Sequence, residues 1–137
     1  MSQTITARWK SWAPQMLSIL RIITAFLFVQ FGTAKLLAFP AAVMPGGDIA
    51  PLMTEAGIAG ILELVGGALL LAGLFTRPVA FLLSGEMAVA YFRGHAGQGF
   101  WPVLYGGTPA ILFCFVWLYI SVAGPGPWSV DALRRGR

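Results

Sequence analysis

The sequence contains one cysteine, Cys114, and one histidine, His95. Arithmetic therefore excludes an intramolecular disulfide, a Cys-x-x-Cys redox pair and a Cys/His zinc site, and no metal site is expected. Charge is scarce too. Asp, Glu, Lys and Arg make up 10% of the residues, against about 25% in a soluble domain, too few to cover a surface in water. No Gly-rich phosphate loop, nucleophile triad or nucleotide fingerprint occurs, and no low-complexity tract or internal repeat.

What is abundant is apolar. Hydrophobic residues account for 58% of the chain and the mean hydropathy is +0.79, the composition of a membrane protein. Four apolar runs stand out, at 16–39, 57–75, 78–92 and 108–123. The first follows a basic N-terminus, as a signal peptide would. It far exceeds the roughly 7–15 apolar residues of a signal h-region and reads as a retained span. The last two are short against the ~20 residues a bilayer core requires, a gap that flanking residues or local thinning closes. A barrel's alternating pattern is absent, so helices must satisfy the backbone.

The expected fold is all-α, an integral-membrane four-helix bundle. A cytoplasmic segment 1–15 precedes spans at 16–39, 57–75, 77–93 and 107–123, and a basic cytoplasmic tail 124–137 follows. Thr76-Arg77-Pro78 and Thr108-Pro109 read as helix starts, each with a threonine cap and a proline in the first turn. Ser129 reads as a cap within the tail. Arg8, Lys10, Arg77, Arg134, Arg135 and Arg137 fall on one side of such an arrangement, while Lys35 and Arg93 fall on the other. Six against two places both termini in the cytoplasm. Trp9, Trp12, Trp101 and Trp128 lie near span ends, where interfacial anchors belong.

The informative residues are the charges inside spans. Glu63 lies six residues from the outer end of the second span, a depth of about 9 Å. Glu86 lies six from the outer end of the third, which runs the opposite way, so both carboxylates share one depth. Lys35 sits just inside the outer end of the first span, with Gln30 and Thr33 near it. Arg93 follows Glu86 by seven residues, on the same face. A charge at a helix centre costs about 2.5–3.5 kcal/mol, so the glutamates should face inward and meet Lys35, Arg93 or each other. Two readings compete. The cluster either fixes helix register, with Gly57, Gly60, Gly66, Gly67 and Gly73 giving close approach, or it is a ligand, proton or redox site. Arg77 reads as a topology anchor, Arg21 as a snorkelling residue, and Cys114 as a small buried apolar group. His95 stands in an outer loop, able to titrate near neutral pH. The basic tail suits anionic headgroups better than nucleic acid.

Three segments, "FGTAKLL", "GILELVGGALLLAGLFTRP" and "GHAGQGFWPVLYGGTPAILFCFVWLYISVAGPGPWSVDA", make the chain resemble the DoxX family over about residues 17–133. These are small four-helix proteins of the bacterial inner membrane. The family takes its name from a membrane subunit of an archaeal thiosulfate:quinone oxidoreductase, and other members are associated with redox complexes or sulfur and thiol stress. The resemblance thus implies a multi-pass inner-membrane subunit of a quinone-linked or sulfur/thiol-related oxidoreductase. A partner protein would hold the redox centre, and a quinone would be the cofactor. Glu63 or Glu86 would then carry protons, with Lys35 or Arg93 stabilising an anionic species. One departure stands out: where the family often has Asn-Gly-Gly-Glu before helix four, this chain has Tyr105-Gly106-Gly107-Thr108. The alternatives are a noncatalytic scaffold for partner proteins and, third, a small-solute transporter, which four short helices would support only as a homo-oligomer.

Overall fold

The computed structural model describes residues 2–136; Arg137, counted above with the basic tail, lies outside the described residues. Those residues form helices and no strand: α1 (Ser2–Ser11), α2 (Ala13–Leu37), α3 (Glu55–Ala72), α4 (Thr76–Gly94), α5 (Thr108–Ala123) and α6 (Val130–Arg135), with three short 3-10 turns in the loops. By length and composition α2 and α3 are apolar enough to cross a membrane, and α5 is a shorter apolar helix.

The punctuation explains the boundaries. Pro14 opens α2, and Ala38 closes it in the left-handed conformation with its N–H on the Thr33 carbonyl, two residues before Pro40. Thr54 caps α3, its Oγ1 accepting from the Gly57 N–H at 3.2 Å. Gly73, at φ +72°, ends α3, a conformation open to glycine at no steric cost. Two expected caps are absent. α4 begins at Thr76 behind left-handed Phe75 without a side-chain cap of its own, and the buried Thr76 hydroxyl makes no hydrogen bond of normal geometry among the described residues. α5 begins at Thr108 behind Gly107, again with no side-chain cap, and Thr108 is exposed. Ser129 does cap α6, accepting from Ala132 N–H at 3.1 Å. The N-terminal segment, read only as cytoplasmic, is the helix α1.

Helix α2 packs along α3 and α4 along α5, and the pairs meet through α3–α4 and α2–α5. One core draws on all four: Ala25 and Phe28 from α2, Leu70 from α3, Ala80, Leu83 and Met87 from α4, Trp117 and Ile120 from α5. Phe28 meets Phe113 and Trp117 edge-on, with centroids 5.2 and 5.5 Å apart, the arrangement aromatic quadrupoles favour. Outward the molecule is apolar: Ile23, Phe26, Val65, Phe81, Phe115 and Val122 are all exposed. Inward it holds Ser18, Arg21, Thr24, Glu63 and Ser84. A surface this apolar around a polar interior suits lipid as solvent.

Candidate functional site

Glycines let α2 and α3 approach closely. A Cβ on Gly32 would stand 2.6 Å from the Leu64 amide nitrogen, and one on Gly60 would stand 3.0 Å from Leu36 Cγ. Beside this crossing Lys35, in the last turn of α2, reaches Glu63 on α3. Its Nζ lies 2.7 and 2.8 Å from the two carboxylate oxygens. Glu63 is 2% exposed and the lysine side chain 22%. The acid is thus sealed inside, while its cation has an open side.

That open side faces a groove of about 800 Å³ between α3 and α4. Its walls are mainly apolar and small, from Ala56, Ala59 and Leu62 on α3 and Leu82, Gly85 and Ala90 on α4; Lys35 and Glu86 supply polar groups. Both carboxylate oxygens of Glu86 are buried, and neither has a hydrogen-bond partner among the described residues. Glu86 lies within Coulombic reach of Glu63 and Lys35 but is bonded to neither. At the groove's end Arg93 Nη2 meets Glu55 Oε1 at 2.6 Å, both side chains exposed.

The expected cluster is therefore divided. Lys35, Glu86 and Arg93 line the groove and Glu63 stands behind Lys35. Arg93 meets neither Glu63 nor Glu86: it lies at the helix end, where a long charged chain reaches water most cheaply, and pairs with Glu55. Gln30 sits half-buried on α2 with no side-chain hydrogen bond among the described residues. His95 lies outside the groove, stacked between Tyr91 and Tyr105 at 6.5 and 6.2 Å. The Tyr91 hydroxyl is 3.1 Å from that of Tyr105 and pushes the Tyr105 pKa up to about 12. The glycines serve three interfaces: Gly60 and Gly67 face α2, Gly66 faces Leu83 of α4, and Gly57 abuts Pro51. Glu55 escaped the sequence reading although the Thr54 cap and the helical spacing to Glu63 marked it.

At the opposite end the tail folds back as a clasp. Asp131 accepts from the Phe75 and Thr76 N–H groups at 3.0 and 2.9 Å, capping α4 from a distant part of the chain. Burial works to raise its pKa, but those bonds and nearby Arg134 prevail and hold it below the ordinary value. Arg21 does not snorkel. It is 1% exposed and donates to the carbonyls of Pro125 and Trp128. Arg77 donates to the Ser121 and Val122 carbonyls at the end of α5, while Pro78 and Pro109 occupy first turns. The motifs Gly73–Pro78 and Gly124–Asp131 are thus partners in space.

Comparison with known proteins matches residues 16–96 to the family described as DoxX. An uncharacterized protein of Haemophilus influenzae is 44% identical over 89% of this chain and 92% of its own length. The inner membrane protein YphA of Escherichia coli is 29% identical, over 86% of this chain and 89% of its own. The uncharacterized membrane protein Rv3486 of Mycobacterium tuberculosis is 26% identical over 86% and 80%. No solved structure gives a significant match.

Proposed function

The chain belongs to the DoxX family of membrane proteins, and on that premise we propose that it is a four-span protein of the bacterial inner membrane. Both termini face the cytoplasm, and the groove between α3 and α4 takes the polar head of a lipophilic small molecule of the quinone class. In this reading the protein is the membrane subunit of a quinone-linked or sulfur/thiol-related oxidoreductase, and a partner subunit supplies the electrons. Glu86 carries the reading: a carboxylate with two buried, unbonded oxygens lies in an apolar groove. An unmet hydrogen-bonding group of this kind costs about 1–3 kcal/mol, and a ligand hydroxyl or carbonyl would relieve it. The groove also fits by size, within the ~300–1,000 Å³ usual for small-molecule sites, and by its few polar groups amid apolar walls.

The residues divide the work. Glu86 holds the proton exchanged with the ligand's oxygen. Lys35 spends two contacts on Glu63 and keeps its third N–H for a ligand oxygen. Glu63 fixes Lys35 in place. The Arg93–Glu55 pair flanks the groove's outer end, and Phe81 and Leu82 form its lipid-facing wall.

Binding of a short-chain quinone to detergent-purified protein tests this. Glu86→Gln should weaken Kd about 10- to 100-fold, the worth of a hydrogen bond to a charged group. Unchanged binding in both Glu86→Gln and Glu63→Gln defeats the proposal. Labelling single cysteines placed at Gln98 and Arg134 from either side of the membrane tests the orientation: Gln98 should react from the periplasm and Arg134 from the cytoplasm.

The scaffold reading keeps one observation in its favour, the sealed Lys35–Glu63 pair, which needs no ligand to be satisfied. It predicts that substitution at Glu86 alters complex assembly and leaves quinone binding alone.

A further inference from the structure

The clasp end carries a second cleft, of about 630 Å³, where the start of α2, the first turn of α4, the end of α5 and α6 come together. We propose that this cleft binds the phosphate headgroup of an anionic phospholipid. The inference rests on the four-span reading, which sets this end at headgroup level, and is independent of the ligand assigned to the groove.

Arg77 and Arg135 both line the cleft and Tyr119 joins them, with no acidic residue in its lining among the described residues. Arg77 spends Nη1 on the Ser121 and Val122 carbonyls; its Nε and Nη2 have no partner among the described residues. A Cβ on Gly124 would stand 3.0 Å from that Nη2, so glycine here leaves the guanidinium uncovered. Neither Arg135 nor the Tyr119 hydroxyl has a hydrogen bond or ion pair among the described residues. The one acid close by, Asp131, is taken up by the Phe75 and Thr76 amides. Two guanidiniums and a phenol that converge with no ion pair among the described residues match a phosphodiester, which arginine recognises through paired N–H groups.

The same cleft is apolar on its other wall, through Ala13, Leu17 and Ala123. That wall continues onto exposed Met16 and Val122, giving acyl chains a path along α2 and α5. A free phosphate ion would use the guanidiniums and leave this wall bare, so the commitment is to the lipid.

Native mass spectrometry of the full chain, purified in a neutral detergent and offered equal phosphatidylglycerol and phosphatidylcholine, tests the site. Phosphatidylglycerol should be retained about fivefold or more over phosphatidylcholine. Arg135→Ala should cut that preference about fivefold, the effect of one arginine at an anionic surface. Tyr119→Phe should cut it by less. Both variants should keep the wild-type melting midpoint in lipid-free detergent, because neither side chain bonds within the fold. Equal retention of the two lipids overturns the proposal, as does undiminished preference in both variants. Displacement of the lipid by an equal concentration of glycerol phosphate would assign the site to a soluble anion and overturn it too. An error in the four-span reading would appear separately, in the cysteine labelling.

Discussion

Replacing Lys35 with methionine removes the one cation bonded to Glu63 among the described residues and keeps much of the stem's apolar volume. Glu63, 2% exposed, is left with two oxygens that no protein group bonds among the described residues. Removing one partner of a buried pair costs about 3–5 kcal/mol. Lys35 is 22% exposed, so some water can take the place of its ammonium, which sets the expectation near the low end, ~3 kcal/mol. Adding Glu63→Leu removes the stranded charge, and the double variant should return to within about 1 kcal/mol of wild type. Equilibrium unfolding in mixed micelles with SDS, followed by helical circular dichroism across the four-member cycle, gives the coupling directly. A Lys35→Met cost below about 1 kcal/mol, the range of a solvent-exposed pair, would refute the claim that the pair is sealed. A double variant as unstable as the two single costs summed would refute the claim that stranded charge is the cause.

The two glutamates should answer substitution with opposite signs. Glu86→Leu removes two unbonded buried oxygens and should leave stability unchanged or raise it by about 1 kcal/mol, measured in the same micelle titration, while quinone binding is lost. Asp131→Asn should lower stability by about 1 kcal/mol at neutral pH, as loss of a helix cap does. Because folding depresses the Asp131 pKa, its contribution is complete above the ordinary carboxylate value near ~4. It fades as pH falls through the lower folded value, so the wild-type advantage over Asp131→Asn should shrink in acid melts. Gly32→Ala should cost about 2–3 kcal/mol, and Gly66→Ala clearly less, in parallel unfolding curves. The new methyl would meet immovable backbone at Leu64 in the first case, and the rotatable Leu83 side chain, 2.9 Å away, in the second.

Counting residues along antiparallel helices gives height, and height was legible: Lys35, Glu63 and Glu86 do stand close together. Azimuth was not. One lysine has two acids in range, and it bonds the one on α3, because the glycine crossing of α2 and α3 holds those backbones together. Nothing in the spacing ranks that crossing above the α3–α4 contact. Arg93 was aimed correctly along its helix face, yet its partner is an acid in the first turn of α3, where negative charge suits the helix terminus. The caps failed for a related reason. Thr76 is a good local cap, but a carboxylate from Asp131, dozens of residues away, reaches the start of α4 first; nothing in the structure explains why Thr108 leaves α5 uncapped. Local rules see only neighbours in sequence, and Arg21 shows the cost. Alone on an apolar helix it looks fit to snorkel, whereas the Gly-Pro-Gly-Pro turn brings it carbonyl acceptors that no nearby residue offers.

The clasp and the groove belong to one construction. At the clasp end, Asp131 ties the α3–α4 turn to the tail, and Gly66 lets Leu83 press against α3, so the two helices meet tightly there. Towards the opposite end the facing residues stay small, with Ala56 and Ala59 on one side and Gly85 and Ala90 on the other, but the helices do not close over them. Small residues normally draw membrane helices together; here they line a space instead. Among the described residues the acid on the closed α2–α3 interface is fully paired, and the acid on the open α3–α4 interface is unpaired. If bundle register were the sole purpose of these charges, the second carboxylate would impose a desolvation cost with no contact in return. Its position in a cleft with an apolar wall and a spare lysine N–H is what the proposed ligand site requires, because a bound hydroxyl or carbonyl would offset that cost.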